Sequence, residues 1–255
     1  MAELPGAVLL GLAPMACFLA ALVLLDSYRL VRLRFVLAVV ACGMAMAGVA
    51  YLANGFLLGV LALDFTSYSR YVAPVVEELL KAAVVVALFR MHRIGFPVDA
   101  AILGFAVGAG FALVENLIYF GEVPHAGMGT WMVRGFGTAI MHGGASAIFA
   151  VAGAGLRGAR ANMRVAPLVP GLVMAVVLHS AFNHFFLSPF ASTLGIAVVL
   201  PIVLNAVFAR SEAAVSTWLG SGFDANAETL ELIESGRISA TPIGEYLQDL
   251  RDKLE

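Results

Sequence analysis

The sequence predicts an all-α fold, a polytopic membrane helix bundle of about seven transmembrane helices, with its N-terminus outside and its C-terminus cytoplasmic. Three observations carry that expectation. Hydrophobic residues make up 61% of the 255 and charged ones only 13%. The resulting mean hydropathy of +0.94 belongs to integral membrane proteins rather than soluble ones. The apolar residues also gather into stretches of the ~20 that a helix needs to cross the hydrocarbon core, and the cationic residues fall in alternate connections.

Seven stretches meet the length, taken in order as Ala7–Leu25, Phe35–Ala53, Tyr71–Phe89, Val98–Phe120, Gly135–Leu156, Val165–Phe186 and Pro189–Phe208. The first follows Met1-Ala2-Glu3-Leu4-Pro5, with none of the positive charge of a signal-peptide n-region, and is expected to stay as a membrane helix. Phe56–Phe65 is apolar but too short to cross alone, so it extends the second helix or lies at the interface. In the fourth, Gly104, Gly108 and Ala112 form a small-residue ridge that lets another helix approach closely. Arg29, Arg32 and Arg34 follow the first stretch, Arg90 and Arg93 the third, Arg157, Arg160 and Arg164 the fifth, and Arg210 the seventh; the opposite connections hold only Arg70 and Arg134. By the positive-inside rule the former set is cytoplasmic.

Two domains are expected, a transmembrane helical core over 1–210 and an acidic cytoplasmic tail over 211–255. The core carries 12 Lys/Arg against 8 Asp/Glu, and the tail 3 against 9. In the tail, Asn226–Ser235 reads as a short helix stopped by Gly236. Thr241 then caps an amphipathic helix that begins at Pro242 and repeats Ile243, Leu247, Leu250 and Leu254 on one face. Cys17 and Cys42 form no ligand or disulfide spacing. The basic residues are scattered singly, so no nucleic-acid partner is expected; the expected surroundings are the lipid bilayer.

Polar groups inside apolar stretches are costly and by default mark a functional site. They occur here as Glu77, Glu78 and Lys81, then Glu115 and Asn116, then His142, then His179 and Asn183. At ~1.5 Å of rise per residue, Glu77, Glu115, His142 and His179 lie ~7–10 Å below the outer boundary on four different helices. Lys81 is i+4 from Glu77 and i+3 from Glu78 and can pair with either. Neighbouring carboxylates point about 100° apart, so one of the two is free for chemistry while the other is held. His179 and Asn183 share a face, and Pro74 can bend its helix or free a carbonyl beside the site.

These residue types suit attack by water. A desolvated glutamate serves as general base or acid. Two histidines and a glutamate can bind Zn²⁺ and leave a position for water; without metal, His and Asn can donate to an oxyanion. The inventory supports both schemes. HExxH, GxSxG and GxxxxGK are absent, which removes the usual signatures of soluble zinc proteases, serine hydrolases and P-loop proteins.

At these positions the chain resembles the PrsW-type intramembrane proteases, relatives of the CAAX prenyl-protease superfamily. Glu77-Glu78-Leu79-Leu80-Lys81 is similar to their EExxK motif and Phe111 to Glu115-Asn116 to their FxxxEN motif. His142 and His179 through Asn183 are similar to their two histidine stations. The resemblance covers about residues 70–185 and implies hydrolysis of a peptide bond in a membrane-anchored protein, such as an anti-sigma factor, at the extracytoplasmic face of a bacterial cytoplasmic membrane. It implies that Glu77 activates water with Glu78 and Lys81 in support, that Glu115, His142 and His179 bind metal or position the water, and that Asn183 polarises the scissile carbonyl. Asn116 accompanies Glu115. CAAX proteases carry His where this chain has Glu115, and Arg one residue after Lys81, so roles transfer poorly at those two positions. A proton- or ion-coupled transporter and a catalytically inactive scaffold use the same kinds of group.

Overall fold

A computed structural model describes residues 4–26, 30–123, 125–157, 166–235, 237 and 244–246. Among these, all regular structure is helical, in seven helices of 16 residues or more: α1 (Leu4–Leu25), α2 (Leu33–Leu61), α3 (Ala73–Arg90), α4 (Pro97–Glu122), α5 (Ala139–Arg157), α6 (Val169–His184) and α7 (Pro189–Glu234). One helix lies at each apolar stretch. Among the described residues, five segments are long and apolar enough to cross a membrane: Gly6–Leu25, Leu33–Leu61, Pro97–Glu122, Met128–Gly155 and Pro189–Thr217. The other two helices fall short for physical reasons. α3 carries Glu77, Glu78, Lys81 and Arg90 within 18 residues, and α6 has only 16 residues.

Phe56–Leu61 does extend the second helix, which ends when Ala62 turns left-handed at φ 51°. The chain divides into two units, Met1–Ala209 and Arg210–Glu255. Asn226–Ser235 is not a separate short helix: α7 continues unbroken to Glu234. The intervening residues are rich in Ala and Ser and contain no proline, so the strongest helix breaker is missing after Phe208 and the helix runs through Gly220 and Gly222. The amphipathic helix expected after Thr241 lies outside the described residues, apart from a helical turn at 244–246.

Within the first unit α4 is the central post. Every residue from Val98 to Ala112 is buried, which a lipid-facing helix cannot achieve. Its small residues explain how. A Cβ built on Gly104 or Gly108 would run into the α5 backbone at Ser146 and His142, and one on Gly110 would strike Val40 of α2. The ridge of Gly104 and Gly108 therefore brings α5 into backbone contact, as small-residue faces do in membrane bundles. That contact sets His142 beside the segment of α4 that carries Phe111 and Glu115.

Candidate active site at one end of the bundle

Two departures from α-helical winding aim the side chains. Tyr68–Val72 forms a π-helical turn that feeds α3, with Ala73 N–H bonded to Tyr68 O. Val133–Thr138 forms a second that feeds α5, with Ala139 N–H bonded to Arg134 O. Such turns insert a residue and rotate the next helix, and they cluster at functional sites.

Pro74 accounts for the first. It has no N–H, so it leaves Arg70 O without its α-helical donor and Ser69 O without its π-helical one. Both carbonyls are answered from α6: Ser180 Oγ donates to Arg70 O at 2.6 Å and Asn183 Nδ2 to Ser69 O at 2.9 Å. The expectation of a carbonyl freed by Pro74 thus describes the joint between α3 and α6.

The four stations converge. Glu78, Lys81, His142 and His179 are 1–3% exposed. Lys81 Nζ donates to Glu78 Oε1 at 2.5 Å and to His142 Nδ1 at 2.9 Å. It also sits 4.8 Å from the centre of the Phe111 ring. Glu78 Oε1 is in addition 2.8 Å from His179 Nδ1. The two imidazoles stand edge to face with centroids 4.7 Å apart. Of the two neighbouring carboxylates, Glu78 is the one held by Lys81.

Glu77 is oriented differently. Its Oε1 accepts from Asn54 Nδ2 at 3.0 Å, and Asn54 Oδ1 in turn accepts from Tyr68 Oη at 2.9 Å. Its Oε2 stands 3.9 Å from His179 Nε2, too far for a direct hydrogen bond. Glu115 closes the other side, with Oε2 2.7 Å from His142 Nε2 and Oε1 3.3 Å from Arg134 Nη2. Arg134 Nε donates to Asn116 Oδ1 at 2.8 Å, and Asn116 Nδ2 donates to Gly11 O at 2.7 Å.

Glu77, Glu78, Lys81, Glu115, His142 and His179 therefore share one cluster. Asn116 reaches it only through Arg134, and the Asn183 amide is engaged at the α3 joint. His184 binds Ser180 O through Nδ1 and takes no part in the cluster. Reading the sequence alone missed Asn54, Tyr68 and Arg134. Asn54 had a signal, being the sole amide in the apolar run from Leu33 to Leu61. Tyr68 and Arg134 sit on the π-helical turns, where periodicity misplaces a side chain.

Fold and site together define a multi-pass integral membrane protein that encloses a buried Glu/His/Lys cluster between its helices. The family model of the PrsW family of intramembrane metalloproteases matches residues 31–208, and the chain belongs to that family. It is accordingly a membrane-embedded peptidase whose substrates are membrane-bound. No curated protein and no solved structure matches it.

The family name implies a metal, and the donor set fits one. Ligand atoms of Glu77, His142 and His179 lie within 4.8 Å of one another, against the ~3.3 Å between N or O ligands of a tetrahedral zinc ion. Ion binding therefore requires the three side chains to draw together by about 1.5 Å. His142 Nε2 and Glu115 Oε2 are both buried and, although near each other, complete no hydrogen bond. Glu115 Oε2 offers a cation a free lone pair, and His142 Nε2 does so once Lys81 leaves Nδ1. The compact group has Glu77 as its carboxylate, while Glu115 lies beside His142.

Proposed function

We propose that this chain is an intramembrane endopeptidase. It hydrolyses a peptide bond of a membrane-anchored protein, such as an anti-sigma factor, near the extracytoplasmic face of a bacterial cytoplasmic membrane. The observation that carries this is the meeting of Glu77, His142 and His179 from three helices within 4.8 Å inside an apolar bundle. Ionisable groups are retained at such a place for function. In this reading α3 and α6 cross the membrane with the other five, the N-terminus is outside, and the C-terminal tail is cytoplasmic.

The chain's own groups divide the work. The nucleophilic water is placed beside Glu77 Oε2 and His179 Nε2, which stand 3.9 Å apart, close enough for one water to one side of them to hydrogen-bond both. Glu77 accepts its proton and returns it to the leaving amine, while Asn54 fixes the other carboxylate oxygen. Glu78 holds His179 through Nδ1 and so directs Nε2 at the water. Lys81 acts in the opposite sense: it donates to His142 Nδ1, so the neutral ring carries its proton on Nε2 beside Glu115 Oε2. Ligating an ion through His142 requires Lys81 to leave Nδ1. The residues that would hold a divalent ion such as Zn²⁺ are His142, His179 and Glu77, with Glu115 beside them to accept the proton in that form. When bound, the ion lowers the pKa of water and polarises the carbonyl.

The test uses purified wild type, Glu77→Gln and His179→Ala in vesicles with a panel of single-span substrates. Each variant is expected to lose about 100-fold or more of the cleavage rate. Undiminished cleavage in both removes the site assignment. Metal content and chelator titration of the wild type decide the water-activation scheme: a bound, removable ion with activity restored by Zn²⁺ supports the metal form, and neither assigns activation to Glu77 alone.

A further inference from the structure

The opposite end of the bundle carries a second polar feature that proteolysis does not use. Glu77 and Arg90 lie at opposite ends of α3, separated by ~20 Å of helix axis. Beyond Arg90 an open cleft of about 720 Å³ is lined by Leu30, Val31, Arg32, Arg34, Phe35, Ala38, His92 and Arg93. It lies between the connection that precedes α2 and the turn that follows α3.

Three arginines line the cleft, and no carboxylate pairs with Arg32, Arg34 or Arg93 among the described residues. The two nearby acids are engaged with backbone: Asp26 Oδ2 accepts from Val31 N–H, and Asp99 Oδ2 from Gly95 and Phe96 N–H. Both are buried. Arg134, by contrast, is paired. The cleft is also built rather than incidental. His92 takes a left-handed backbone at φ 54°, which turns the chain back so that Arg93 N–H bonds Leu88 O. The Arg93 guanidinium then stacks over Phe35 at 5.2 Å. Immediately beside these charges, Met91 at the turn after α3 is exposed, as are Leu33 and Leu37 on α2, which is long and apolar enough to cross a membrane.

We infer that this cleft binds the phosphodiester headgroup of an anionic lipid, with an acyl chain along Leu33 and Leu37. A guanidinium fork matches two phosphate oxygens, and basic pockets between membrane helices take anionic headgroups. Unpaired cations beside an exposed apolar stripe fit an amphiphile better than a soluble anion, which has no use for the stripe.

The experiment is native mass spectrometry of the purified full chain, titrated with phosphatidylglycerol or phosphatidylcholine of matched acyl chains. Wild type is expected to bind phosphatidylglycerol about tenfold more tightly. The pair Arg32→Gln/Arg93→Gln is expected to lose that preference, and Arg210→Gln to keep it. Equal binding of the two lipids by wild type, or an undiminished preference in the Gln pair, overturns the proposal. If the pair does not fold, Arg34→Gln alone is expected to lower phosphatidylglycerol affinity about threefold, and no loss overturns it. Thermal unfolding with millimolar inorganic phosphate separates the sources: protection equal to that given by phosphatidylglycerol makes the ligand a free anion and overturns the lipid assignment.

Discussion

Glu78 and Lys81 show why single residues in this site cannot be read one at a time. Each is almost wholly buried, and each touches a different histidine. A buried ion pair contributes little net stability, but removing one partner strands the other charge at about 3–5 kcal/mol. Lys81→Met is therefore expected to unfold at markedly lower denaturant, as is Glu78→Leu. The double variant should recover part of the loss, with a coupling of about 1–3 kcal/mol. Unfolding of the four proteins in detergent measures this; simple additivity would mean that the pair is not a unit. Both single variants should also lose cleavage, because His142 and His179 lose the contacts that aim their rings.

At the level of elements, the joint between α3 and α6 matters most. A regular α3 would satisfy its own carbonyls and have nothing to offer α6. Pro74 prevents that, and Ser180 and Asn183 occupy the opened acceptors. Loss of either neutral hydrogen bond is worth about 1 kcal/mol. Asn183→Ala and Ser180→Ala should then reduce stability and cleavage to a similar degree. If Asn183 instead polarises the scissile carbonyl, its loss should cost roughly 100-fold in rate while Ser180→Ala stays mild. Pro74→Ala returns an N–H that competes for Arg70 O, so Ser180→Ala should cost less in that background.

The same joint marks how far the sequence could be read. The polar stations on α3 to α6 were legible because charge is rare in apolar helices and each falls near the same helix end. Which partner each side chain meets was not, since that depends on the π-helical turns at Tyr68–Val72 and Val133–Thr138. Those turns follow from tertiary demand as much as from local sequence. Asn54 carried a signal as the sole amide between Leu33 and Leu61, but its partner did not: only the continuation of α2 to Leu61 shows that it lies inside the helix and meets Glu77.

For the whole molecule, the question is whether α3 and α6 cross the membrane. Both fall short of a simple span, one because of its charges and one because of its length. The charges of α3 that count against it are mostly turned into the bundle, since Glu78 and Lys81 are buried, so their cost is met by partners rather than by lipid. Seven crossings and five crossings place two connections on opposite sides. With seven, the turn after α3 at His92 is cytoplasmic and the connection after α4 at His125 is external; with five, both assignments reverse. Single-cysteine variants His92→Cys and His125→Cys, in a Cys17→Ser/Cys42→Ser background, report this with a membrane-impermeant maleimide on intact cells. Labelling is expected at position 125 and not at 92. That outcome also puts the Glu77–His179 end of the bundle at the external face, because Glu115 sits on α4 a short way before that connection. The reverse pattern would leave α3 and α6 as re-entrant or interfacial helices and move the proposed cleavage to the cytoplasmic side.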